Sequence, residues 1–238
     1  METRPERDVA DPARHRGPSL LAVAVVYALA VLACVIAPTV MAGGRHFPSP
    51  FEPDASRWFG EHPTAALASA FFLFCSAAPL AIFTATASSR LQFLGMKVAG
   101  IHIALVGGLG ASIALTTSAF AQWVVAQPGV SADSSVAHAL HLFSFAAGGP
   151  GFAVPFGLLI AGVAVVAGLQ SFIPRWLMWT GLFLAAVAEL SVFAFVWLPA
   201  AFLLPVARFP GMLWLIGAGA TMPKARRARA TSTETKGQ

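Results

Sequence analysis

Residues 14–41 read RHRGPSLLAVAVVYALAVLACVIAPTVM. Two arginines and a Gly-Pro-Ser turn lead into an apolar run from Ser19 to Met41 that carries no charge. A helix needs about 20 apolar residues to cross a bilayer core, and this run supplies them. Its basic flank and the Val40-Met41-Ala42 stretch also resemble a signal peptide with its cleavage site. A signal's apolar region spans only about 7–15 residues, so the longer run reads as a retained membrane helix.

Further runs of the same kind follow. Thr64–Ser88, Val98–Trp123, Phe152–Phe172, Trp176–Leu198 and Ala201–Met222 each reach spanning length. Pro79 is expected to kink the second run, and Pro205, Arg208 and Pro210 to interrupt the last. The composition agrees, with 57% hydrophobic and 11% charged residues and a mean hydropathy of +0.74. The expected fold is all-α, a six-span transmembrane bundle over residues 18–223. An outer loop at 43–62 and disordered cytoplasmic tails at 1–17 and 224–238 complete the expected organisation.

The threading comes from the cations. Arg4, Arg7, Arg14 and Arg16 precede the first run, and Arg90 and Lys97 separate the second from the third. Arg175 separates the fourth from the fifth, and Lys224, Arg226, Arg227, Arg229 and Lys236 follow the sixth. Only Arg45, Arg57 and Arg208 fall in the alternate gaps. Cationic loops stay cytoplasmic, so both termini are expected there. Lys and Arg beside the membrane attract anionic lipid headgroups, which makes the bilayer the expected partner and nucleic acid not one.

Ser134–Ala147 fits neither a span nor a plain loop. Ser131 or Asp133 caps it, and Gly148-Gly149-Pro150-Gly151 ends it. Ser134, His138 and His141 share one face, while Val136, Leu140, Phe143 and Ala147 share the other. It reads as an interfacial helix or as the outer half of a broken spanning helix.

Several residues stand out chemically. Glu189 lies inside the run LFLAAVAELSVFAF, where a charge costs about 2.5–3.5 kcal/mol, so it is expected to face the bundle interior. Arg208 is its expected partner, in the outer half of the membrane near His141. His138 and His141 are one turn apart, with His46, Glu52, Asp54, Glu61, His62 and Asp133 on the same side. That spacing suits two ligands on one metal but fixes no third, so no metal is expected. His102 sits near the cytoplasmic end of the third run, too far across the bilayer to act with His141. Gly100, Ala104, Gly108, Ser112 and Thr116 recur every fourth residue and form a small stripe for close helix approach. Cys34 and Cys75 lie inside apolar runs and form no CxxC motif. Walker A, GxSxG and HExxH motifs are absent from the sequence, and no cofactor is expected.

Phe156-Gly157-Leu158-Leu159, Phe172-Ile173-Pro174-Arg175-Trp176-Leu177 and Phe209–Leu215 form a pattern over the C-terminal half. It resembles small bacterial multi-pass membrane proteins of unknown function, the group called DUF4386-like. The resemblance implies a bacterial inner membrane and carries no activity. The expected function is a small transporter, or an accessory subunit or homo-oligomer that packs through the small stripe. A membrane-embedded enzyme or metal/redox protein using Glu189 and the outer histidines is the alternative.

Overall fold

The computed structural model describes residues 15–52 and 55–225. The remaining parts of both tails, together with Pro53 and Asp54, lie outside the described residues, so the expected disorder of the tails is not addressed there. The regular elements of the described chain are all helices, with no strand among the described residues. The helices are α1 (Leu20–Met41), α2 (Ala55–Glu61), α3 (Pro63–Phe93), α4 (Ala99–Val125), α5 (Pro128–Ser131), α6 (Ser134–Gly148), α7 (Pro150–Leu169), α8 (Arg175–Leu190) and α9 (Leu203–Thr221). Two 3-10 turns, Ser191–Phe195 and Leu198–Phe202, join α8 to α9. Six segments are long and apolar enough to cross a membrane: α1, α3, α4, α6 with α7, α8 with its 3-10 extension, and α9 with its leading turn. The protein is a multi-pass integral membrane protein. In lipid only a helix satisfies all its own backbone groups, which is why long apolar runs take this form.

The spans close into a ring. α1 packs on α3, α3 on α4, α4 on α7, α7 on α8, α8 on α9, and α9 returns to α1. One end of the bundle carries the loop between α1 and α3 (the loop end), and the other carries residues 15–19 and 222–225, joined by the His15–Lys224 backbone bond (the termini end).

Local chemistry sets the boundaries. Ser19 caps α1 by accepting from the Ala22 N–H. Gly43 and Gly44 have φ of 66° and 90°, and the Gly44 N–H reaches back to the Thr39 carbonyl, which turns the chain out of α1. Pro63 opens α3 in its first turn, where the missing N–H removes no helix bond. Pro79 sits inside α3 without ending it, and Pro205 sits in the first turn of α9. The expected interruption of the sixth span is therefore absent, and α9 runs unbroken through Arg208 and Pro210.

α4 is the axis of close packing. A Cβ on Gly108 would lie 2.0 Å from Thr84 Oγ1 of α3. A Cβ on Gly100 would lie 2.7 Å from a Val166 methyl of α7, and one on Gly162 of α7 would lie 2.8 Å from Ala104 Cβ. The stripe thus divides between two neighbours in the same chain. Ala104, Gly108 and Ser112 are buried, and Gly100 and Thr116 are partly so. Ser112 and Thr116 return their hydroxyls to carbonyls one turn back, which removes their polarity from the contact.

The loop is more ordered than the sequence suggests. Its α2 was expected to be loop, but Trp58 and Phe59 are buried against Ala65, Val125 and Ala137, so an apolar face folds it down. Arg45 and Arg57 both bond Glu61, at 2.8 and 2.7 Å. Hydrogen bonds from Arg57 and then Arg45 hold the Glu61 carboxyl below its usual range. Two of the three cations outside the main pattern are therefore engaged by the loop itself.

At the termini end, Arg90 lies in the last turn of α3 rather than in a loop, and it is 1% exposed. Residues 15–18 cover it as a strap. The Arg90 guanidinium donates to the Pro18 carbonyl at 3.4 Å, His15 Nε2 bonds Ser89 Oγ at 3.0 Å, and the His15 N–H donates to the Lys224 carbonyl at 2.9 Å. Burial and the neighbouring Arg90 charge hold the His15 imidazole below its ordinary 6.5. A base depressed in the folded state supports folding while it is neutral, so the contribution is complete above about pH 6.5 and lost as pH falls below it. A nitroxide placed at position 16 is expected to become mobile below about pH 6.5, and His15→Gln is expected to flatten that transition. Equal pH responses of the wild-type and His15→Gln straps would refute it.

Candidate solute cavity

α6 and α7 meet at Gly149, whose ψ of −105° breaks the helix, and Pro150 restarts it. Both halves lie along α4. Ser118 and Ser144 join α4 to α6 through reciprocal bonds of 2.9 and 3.2 Å from each hydroxyl to the other's carbonyl. Gly107 and Gly162 mark the close contacts of α4 with α7. The stretch 134–147 is therefore the loop-end half of a broken spanning helix.

Its burial follows its packing against α4 rather than the two faces expected from the sequence. Ala137, His141, Ser144 and Gly148 are buried, while Val136 and Phe143 are exposed. Of the expected polar face only His141 turns inward, joined by Ser144, while Ser134 and His138 are exposed, so the expected division into two faces is corrected. His138 is exposed and His141 is 4% exposed, so the two histidines do not converge. Phe47 and Phe59 meet the His141 ring edge to face, at centroid distances of 5.8 and 4.9 Å. Asp133 caps α6 through the Ser135 and Val136 N–H groups, and its bond from the Ser135 hydroxyl is the first cause holding its carboxyl below the usual range.

The break leaves the Gly148 carbonyl without a helical donor, because the Phe152 and Ala153 N–H groups bond Gly149 instead. Arg208 of α9 donates to that carbonyl, and its guanidinium carbon sits 4.6 Å from the centre of the Phe152 ring. A cation at a helix C-terminus and over an aromatic face is favoured twice. A Cβ on Gly148 would lie 2.5 Å from Ser118 Oγ, so the close α4–α6 contact at this level requires glycine.

These elements enclose a cavity of about 370 Å³ at the loop end. α1 contributes Cys34, α3 Leu73, α4 Ser118 and Gln122, α6 His141 and Ser144, and α9 Arg208, with residues 47–50 of the loop above them. Ser69 of α3 donates to Gln122 Oε1 at 3.0 Å, tying the walls together. Size and mixed lining fall within the range of small-molecule sites.

Glu189 is not part of this cavity. It lies in the last turn of α8, beside Gly157 of α7, and its Oε1 is enclosed without a hydrogen-bond partner. The expected pair with Arg208 is absent, since the ion pairs among the described residues all lie in the loop. The reason is visible in α7: Arg208 contacts it at Phe152 and Glu189 at Gly157, five residues on, which is roughly 140° around the helix. α8 also ends earlier than expected, so depths counted along a continuous helix do not apply. The effects of Glu189→Gln and Arg208→Met on unfolding free energy are expected to add within about 0.5 kcal/mol, as for sites without shared partners. A coupling of several times that size in a double-mutant cycle would contradict the separation.

Among the described residues no three His, Cys, Asp or Glu side chains group to hold a metal ion. His46 faces Glu52, His62 packs on Trp58, and His102 is exposed near the termini end, where it borders a second cavity with Lys97. Cys34 and Cys75 are free thiols. Sequence reading missed Cys34, Ser118, Gln122 and Ser144 as lining residues. Only Gln122, an amide inside a spanning run, carried a usable signal. No family model, curated protein or solved structure matches the chain, so the DUF4386-like resemblance gains no support from them.

Proposed function

We propose that the protein is a small-solute transporter of a bacterial inner membrane, with both termini cytoplasmic and the loop-end cavity as its outward-facing solute site. The observation that carries this reading is a guanidinium at a cavity walled by five of the six spans. Arg208 gives one hydrogen bond to the protein and meets no carboxylate among the described residues. An intramembrane charge is costly and is retained where it contacts a solute or holds structure, and this one is placed for both. The separation of Glu189 from Arg208 and His141 favours binding over acid–base chemistry, because a reacting group needs its acid and base within hydrogen-bond reach. The small stripe is filled by α3 and α7, which weakens the accessory-subunit reading based on it.

Cys34 lines the cavity and serves as a reporter. In a Cys75→Ser protein, a small membrane-impermeant thiosulfonate is expected to modify Cys34 from the loop side of sealed vesicles. A transporter that alternates between faces is also expected to show slower modification from the opposite side. Failure to react from either side would remove the cavity as a solute site.

A further inference from the structure

We propose that the cavity selects a monoanion with an apolar body, such as a short-chain or aromatic carboxylate, held by Arg208. This rests on the reading of the cavity as a solute site.

The charge balance points that way. Arg208 is the cavity's fixed cation, and no Asp or Glu is among the lining residues. Glu52, in the loop above, turns to the Ser49 N–H and to His46. Glu189 contacts a different part of α7. An anionic ligand would therefore neutralise a charge that has no counterion among the described residues, whereas an amine would add a second unpaired charge.

The hydrogen-bond inventory agrees. Ser118 and Ser144 satisfy each other. Gln122 Oε1 accepts from Ser69, which leaves both amide N–H groups and one oxygen lone pair to offer. The N–H groups of Arg208 and Gln122 are donors that suit an acceptor ligand, beside the His141 Nδ1, which has no partner among the described residues and takes either role with its tautomer. Gly148 and the Phe152 ring hold the guanidinium in place before any ligand arrives, which lowers the ordering cost of a bidentate contact.

The rest of the wall sets the body of the ligand. Phe47, Pro50, Leu73, Phe145 and Leu204 present carbon rather than donors. One cation among apolar walls matches one negative charge on an apolar frame. A dianion would carry a second charge into a low-dielectric site with nothing to balance it.

The test uses the full chain with Cys75→Ser in nanodiscs and reads protection of Cys34 from the impermeant thiosulfonate. Phenylacetate and hexanoate are expected to slow modification at concentrations at least about tenfold below those of phenethylamine, 2-phenylethanol, succinate or inorganic phosphate. Arg208→Met is expected to abolish the carboxylate's advantage, read as the ratio of modification rates with and without ligand within the same variant, because removing the guanidinium can itself change the ligand-free rate of the Cys34 thiol in the same cavity. If Arg208→Met does not fold, Arg208→Lys is the second variant: it keeps the charge, loses the planar fork, and is expected to weaken phenylacetate several-fold. Equal protection by phenethylamine or 2-phenylethanol would overturn the ligand class and leave the cavity reading intact, as would carboxylate protection that survives in both Arg208 variants. Protection by phosphate or succinate alone would likewise exclude a monoanion. Absence of protection by every probe, with Cys34 still reactive, would overturn the proposal, whereas an unreactive Cys34 would remove the cavity reading beneath it.

Discussion

Gly108→Leu is expected to leave little folded protein. A Cβ alone at this position would meet Thr84 Oγ1, Cγ2 and Cβ at 2.0, 2.4 and 2.7 Å. Thr84 is fully buried and its hydroxyl is bonded to the Leu80 carbonyl, so it has no free rotation into space. α3 and α4 would have to move apart, which breaks the close contact on which helix association in lipid depends. Overpacking a dense core costs about 1–3 kcal/mol, and a leucine here stands at or beyond the upper end. Gly108→Ala is expected to show a milder loss, and Thr84→Ala is expected to restore much of it. Melting of the purified variants in detergent checks the series. If Gly108→Leu melted with the wild-type protein, the α3–α4 contact would be wrong.

Trp214→Ala is expected to be the most damaging single truncation on α9. The indole is 3% exposed and fills the space over Gly181 of α8, where a Cβ would lie 2.7 Å from the ring. Its Nε1–H donates to the Leu177 carbonyl at 2.7 Å. Removing it opens a cavity between α8 and α9 and deletes their hydrogen bond, although the Leu177 carbonyl keeps the Thr180 hydroxyl as a donor. Such truncations cost about 3–5 kcal/mol in well-packed cores. Trp214→Phe keeps most of the volume and loses only the hydrogen bond, worth about 1 kcal/mol. The expected order of melting temperatures is therefore wild type, then phenylalanine, then alanine. Near-equal values for phenylalanine and alanine would mean that the hydrogen bond, rather than packing, holds the two helices.

The small stripe shows how far pattern reading reaches. The recurrence of Gly100, Ala104 and Gly108 every fourth residue marks a face of close approach, because the helical period fixes which residues stack. It does not say which helix approaches. Gly108 meets α3 and Gly100 meets α7, and only the closed ring assigns these neighbours. α6 makes the same point. The two faces read from its sequence are not the ones the structure shows: His141 is buried with Ala137 and Ser144, while Ser134 and His138 are exposed like Val136 and Phe143, because packing against α4 sets which side turns inward.

Glu189 and Arg208 mark the limit. Each is conspicuous as a charge within an apolar run, and the cost of leaving it alone suggested a pair. The structure gives Arg208 a different partner, the Gly148 carbonyl, which is available only because α6 breaks at Gly149. A cation can be held by a helix end and an aromatic ring as well as by a carboxylate, and sequence does not rank these options. Composition, run length and the spacing of charges determined that this chain is a helical membrane protein, because each spanning helix satisfies its backbone alone and so announces itself locally. The cavity was decided by tertiary structure. Its walls come from α1, α3, α4, α6, α9 and the loop, brought together by packing between residues far apart in the chain, and no local period records that meeting.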